Sequence, residues 1–294
     1  QDQATRGIKV MRYVISQADP ELQEDALLLN TFREACNFLW VLSTINELTD
    51  EQIRRGNLLN IDTDLGLLYF RSHEQPGKIV TRRLFDKIMR SFDGNPQELQ
   101  DALIQKDNHE DTLLHYAAMS GNLEVVKALI ASLQQAFDGN LQGLQKALIQ
   151  RDNSNKAPLH YTAENNNPEV ASTFLALLRR AFDSNLQGLQ DALTQSDNDR
   201  MVPLHYTALN NNLEVMRTLL ASLQQAFNGN QQRLQDALIQ RNPFGSTPLH
   251  YAAGNRNVEV IKALIASLRG AFGNNHQVGL RRALTQKDNL NGTP

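Results

Sequence analysis

The chain has 294 residues, a formal net charge of −3 and a sequence pI of about 6.2, with 41% hydrophobic residues. That balance gives neither nucleic acid nor an anionic membrane a basic surface to bind. A single cysteine excludes an internal disulfide framework and fits a reducing compartment. No apolar run approaches the ~18 residues that span a bilayer, so a cytoplasmic place without membrane insertion is the expectation.

Residues 1–60 open with Asp19-Pro20-Glu21, a cap followed by a first helical position, and Ala26 to Leu42 are rich in Leu, Phe and Trp40 at helical spacing. This stretch is expected to be an N-terminal helical capping segment. Its tail, Leu58-Leu59-Asn60-Ile61-Asp62, echoes Leu103-Ile104-Gln105-Lys106-Asp107 at an offset of 45 residues. Residues 61–107 read as a degenerate repeat: Phe92-Asp93-Gly94-Asn95 matches Phe137-Asp138-Gly139-Asn140, but Tyr69-Phe70-Arg71 occupies the place of the later Leu-His-Tyr.

From residue 108 the chain repeats itself. Leu114-His115-Tyr116, Pro158-Leu159-His160-Tyr161, Pro203-Leu204-His205-Tyr206 and Pro248-Leu249-His250-Tyr251 recur at steps of 45 residues. A period of this size marks a solenoid. In the second copy Pro158 opens a short helix, which Glu164-Asn165-Asn166-Asn167 breaks. Asn167 then caps a second helix that starts with Pro168 and carries Glu169 against its dipole. Asn122, Asn212 and Asn257 repeat that cap. Gly139 stops the second helix and Asn140 starts another, with Leu141, Leu144 and Leu148 on one face. The expectation is three helices per repeat. The chain starts at Gln1 and ends at Asn289-Leu290-Asn291-Gly292-Thr293-Pro294, the opening of a further, truncated repeat, so it reads as a piece of a longer protein.

These motifs resemble the ankyrin repeat, whose signature is Thr-Pro-Leu-His-x-Ala followed by a Gly-Asn-x-Glu-Val-Val helix. The resemblance covers residues 108–294 and implies an all-α, ankyrin-like solenoid. It departs from the family in length, because 45 residues exceed the usual ~33, and the surplus is the third helix. It also implies that the motif histidine bonds backbone at a loop base and that loop tips and first helices recognise proteins. The long, alike, Asn- and Gln-rich units look like ankyrin proteins that intracellular bacteria deliver into host cells. A non-catalytic scaffold binding a protein partner, a host protein if the chain is an effector in host cytosol, is therefore the leading expectation. A targeting arm of an enzyme whose catalytic domain lies outside residues 1–294, and an architectural spacer, stay open.

No catalytic constellation stands out. Four of the seven histidines are the motif histidines. Packed helices lie about 8–10 Å apart, too far for neighbouring copies to share an ion whose ligands must each stand ~2 Å from it. His73, His109 and His276 are scattered, and Cys36 has no histidine near it in sequence, so no metal or cofactor is expected. The excess of Asn and Gln over Lys and Arg reads as bias from duplication. Positions that match in all copies should hold the stack, and those that differ are candidates for binding. They are His109, Glu110 and Asp111; Asn155 and Lys156; Asp199, Arg200 and Met201; and Phe244 at the tips, with Met119, Glu164 and Leu209 on the first helix. Met201, Leu209 and Phe244 are apolar where solvated tips should be polar, and are expected to be exposed anchors.

Overall fold

A computed structural model describes residues 96–294 apart from 107, 108, 166 and 274–276. Residues 100–294 make up one compact unit. The expected capping segment 1–60, with Cys36 and Trp40, and most of the degenerate repeat 61–107, with His73, lie outside the described residues, as does His276.

The described residues form thirteen helices. Helix α1 (Pro96–Ile104) is followed by four sets of three: α2 (Leu113–Ser120), α3 (Leu123–Ala136) and α4 (Leu141–Leu148); α5 (Pro158–Glu164), α6 (Pro168–Ala181) and α7 (Leu186–Leu193); α8 (Pro203–Leu209), α9 (Leu213–Ala226) and α10 (Gln231–Leu238); α11 (Pro248–Gly254), α12 (Val258–Phe272) and α13 (Gln277–Leu284). Each second helix is capped as its sequence requires. The Asn167 side chain accepts from the N–H groups of Glu169 and Val170 at 3.0 and 3.3 Å, and Asn122 and Asn257 do the same. The third helices α4, α7 and α10 start on Asn140, Asn185 and Asn230, which accept from the N–H three residues on at 2.9, 2.9 and 3.2 Å. Gly139 turns the chain between α3 and α4 with φ of 73°.

First helices stack on first helices and second on second, while α4 packs on α6, α7 on α9 and α10 on α12. The third helices α4, α7 and α10 therefore belong to the second helix of the following repeat, while α13 packs on α12 of its own. Its buried side is Leu144, Ala147 and Leu148 in α4, repeated as Leu189, Ala192 and Leu193, then Leu234, Ala237 and Leu238. Leu141 departs from the expected face: it is 44% exposed, as Leu186 is at 50%. Both stand at the first helical position, beyond the stretch that the neighbouring second helix covers.

The asparagines and glutamines are not mere duplication bias. Gln100, Gln145, Gln190 and Gln235 donate to the carbonyls of Ala136, Ala181, Ala226 and Ala271 at 2.5–2.9 Å, tying each third helix to the end of the next second helix. Asn165, Asn210 and Asn255 donate to the carbonyls of Met119, Glu164 and Leu209 at 3.0, 2.6 and 2.5 Å, closing the C-terminal ends of the preceding first helices. Gln190→Met keeps the volume but leaves the Ala226 carbonyl without its donor. It should cost about 1–3 kcal/mol in denaturant titration; an unchanged midpoint would mean that water replaces the amide.

Candidate partner-binding face

Between a third helix and the next first helix runs a short tip, such as Asp152–Lys156. Its first residue builds it. The Asp152 carboxylate accepts from the N–H groups of Ser154 and Lys156, both at 2.8 Å, and from the Tyr161 hydroxyl at 2.5 Å. Asp197 likewise accepts from the Met201 N–H and the Tyr206 hydroxyl. In the fourth copy Asn242 accepts from the N–H groups of Phe244 and Ser246, and its amide donates to the Tyr251 hydroxyl at 2.7 Å. The phenols of Tyr161 and Tyr206 are pushed well up from their ordinary value, by burial first and then by the aspartate each one faces. The fourth residue of each tip is left-handed: Glu110, Asn155, Arg200 and Gly245 have φ of 63°, 61°, 52° and 77°.

The motif histidine fastens the base of the tip. Nδ1 of His115 accepts from the Thr112 N–H at 3.0 Å, so in the neutral ring the proton sits on Nε2, which donates to the Lys156 carbonyl of the next repeat at 3.1 Å. His205 repeats this with Val202 and the Ser246 carbonyl. His160 accepts from the Ala157 N–H, but its Nε2 makes no hydrogen bond. Burial lowers His115, His160 and His205 to about 4, so all three are neutral near pH 7. Each ring meets the tyrosine of the following repeat edge-on, at 6.0, 6.0 and 5.8 Å. Among the described residues no cluster of His, Cys, Asp or Glu could hold a metal ion.

The tyrosines thus form a row along the first helices, and the last tip residue enters the gaps between them. Lys156 Nζ lies 5.0 Å from the centre of the Tyr161 ring and 4.4 Å from that of Tyr206, and is paired with Glu164 at 3.2 Å. One repeat on, Met201 and Leu209 occupy the positions of Lys156 and Glu164. Met201 is only 8% exposed, packed against Ala163, Tyr206 and Tyr251. The expectation of an exposed Met201 anchor is therefore corrected: the slot between two phenol rings takes the thioether in. Asp111, at the same position, is also buried.

The remaining candidates are placed as follows. His109 and Glu110 are exposed, with Glu110 paired to Lys106, and Asp199 and Arg200 are exposed at the third tip. Asn155 is half-buried, its amide donating to the Ser196 carbonyl of the next tip. Glu164 is exposed beside Lys156. Met119, Leu209 and Phe244 are 36%, 42% and 68% exposed. The Lys156–Glu164 pair brings a tip position and a first-helix position together within one repeat. The tyrosine row and the tip aspartates were missed as a unit, although both recur in register, nine residues apart, in the sequence. No helix among the described residues is long and apolar enough to cross a membrane.

A family model described as ankyrin repeats (3 copies) matches residues 87–185 and 183–278, about two thirds of the chain. No curated protein matches it.

Proposed function

Given that the chain belongs to the ankyrin-repeat family, we propose that it is a non-catalytic module that binds a protein partner along its tips and first helices. The observation that carries this reading is the exposure of Leu209 and Phe244. They are large apolar side chains in neighbouring repeats, at positions where the other copies carry different residues. Beside them the tyrosine row is held rigid by Asp152, Asp197 and Asn242, so a partner would meet a preorganised floor and lose little entropy in ordering it. The polar groups His109, Glu110, Asp199 and Arg200 supply a rim, with Met119, Asn155, Lys156 and Glu164 toward the earlier repeats. Interface energy concentrates in a few apolar or aromatic anchors of this kind. A host protein is the partner we assign, on the likeness of these long Asn- and Gln-rich units to delivered bacterial ankyrin proteins.

The double variant Leu209→Glu, Phe244→Ser tests the reading. Against a partner captured from host-cell lysate, affinity should fall at least about tenfold while the melting temperature stays within a degree or two of the parent, as surface changes allow. Undiminished capture by the double variant would remove these anchors from the interface. A lowered melt would make them part of the stack.

A further inference from the structure

Successive tips are laced together, and the lacing fails at one junction. The Asn153 N–H donates to the His109 carbonyl, the Asn198 N–H to that of Ser154 and the Asn289 N–H to that of Phe244, at 3.0, 3.0 and 2.8 Å. Side chains add a second strand to the lacing. Asn198 and Asn289 donate through their amides to the carbonyls of Asn153 and Pro243. A third comes from basic residues: Lys106, Arg151 and Arg241 reach the carbonyls of Arg151, Ser196 and Lys287.

Between the third and fourth tips all three are missing. Pro243 stands at the position of Asn153, Asn198 and Asn289, and proline has no N–H and no amide to donate. Ser196 stands at the position of Lys106, Arg151 and Arg241, and its side chain is too short to reach the next tip. No hydrogen bond joins residues 196–201 to 241–245. The fourth tip is nonetheless firm within itself. Asn242 accepts from two of its amides, the Asn242 N–H donates to the Ser246 carbonyl at 3.1 Å, and Arg241 Nε donates to the Gly245 carbonyl at 2.8 Å. Pro243 further fixes one backbone angle. What spans the junction lies at its base: the His205 bond to the Ser246 carbonyl, the Tyr251 hydroxyl on the Met201 sulfur, and the packing of α8 on α11.

We infer that the row of tips is divided between Asp199 and Pro243, so that the fourth tip, carrying Phe244, pivots as one rigid piece with the tip that follows, to which Asn289 and Arg241 tie it, on helices that remain stacked. The first three tips move as one body. This follows from the pattern of donors alone and is independent of whether the tips bind a partner.

Spin labels on the full chain, with Cys36 replaced by serine, test it. Two cysteine pairs each span two junctions: Ser154→Cys with Phe244→Cys crosses the divide, and His109→Cys with Asp199→Cys does not. Double electron–electron resonance should give a broader distance distribution for the first pair than for the second. Adding Pro243→Asn and Ser196→Arg restores the donors of the other copies and should narrow the first distribution to the width of the second. Asn198→Pro with Arg151→Ser removes the same donors one junction earlier and should broaden the second pair. Equal widths in the parent, or widths that ignore these substitutions, would overturn the proposal.

Discussion

Acidification should unfold the stack between pH 6.5 and 4. His115, His160 and His205 are held neutral by burial, with folded values of about 4 against 6.5 in an open chain. Above pH 6.5 both states are neutral and the full stability is present. Between the two values the unfolded chain takes up protons that the folded one refuses, so stability falls as pH falls. Below about 4 the loss is complete. A drop from 6.5 to about 4 corresponds to roughly 3 kcal/mol per ring. Three such rings approach the ~5–15 kcal/mol that holds a whole domain together. The melting temperature measured against pH should therefore be flat above about 7 and fall steeply below 6.5. A melt that holds down to pH 4 would mean that water or a carboxylate reaches the rings.

The second large effect belongs to the third helix. Leu148 is 1% exposed where α4 meets α6, and Leu148→Ala should cost about 2–5 kcal/mol in denaturant titration. Leu141→Ala, about two helix turns away from Leu148 and 44% exposed, should cost less than ~1 kcal/mol. The contrast matters more than either value. Equal costs at the two positions would mean that the third helix does not lie on its neighbour as described.

The helices were legible because their signals are local. Pro158, Asn167, Gly139 and Asn140 each act within a turn of themselves, and the 45-residue period gave the third helix four times over. Leu141 was misplaced because helical spacing assigns a side but not how far the neighbouring element reaches along it. The glutamine and asparagine bonds were invisible for a different reason. Their acceptors are backbone carbonyls 36 to 46 residues away, and a carbonyl leaves no mark in a sequence. The tips show a third kind of failure. Asp111, Lys156, Met201 and Ser246 differ from copy to copy, which suggests freedom at that position. Asp111 and Met201 are nevertheless buried, and Lys156 and Met201 fill gaps between tyrosines, because such a slot accepts a cation or a thioether equally well. Variation among copies measured what the slot tolerates, and exposure is a separate matter.

The third helix, packed forward onto the next repeat, also limits how such a chain can change its length. Bonds of fixed span close the junctions in varying sets: from glutamine to second-helix end, from His115 and His205 to the next tip, and from tip to tip everywhere but between the third and fourth. Gain or loss of a whole unit leaves every span intact, whereas a shift of one residue within a helix or a tip would carry several donors away from their acceptors together. The natural exception obeys the same rule. The last copy carries one extra residue near Asn275, and the Arg241–Lys287 bond spans 46 residues where Lys106–Arg151 spans 45. In sequence the added residue falls between Phe272, where α12 ends, and Gln277, where α13 starts, after the Ala271 acceptor and before the next tip. Duplication thus preserves the bonding in steps of a full repeat, and the one extra residue this chain carries lies between two helices and within neither.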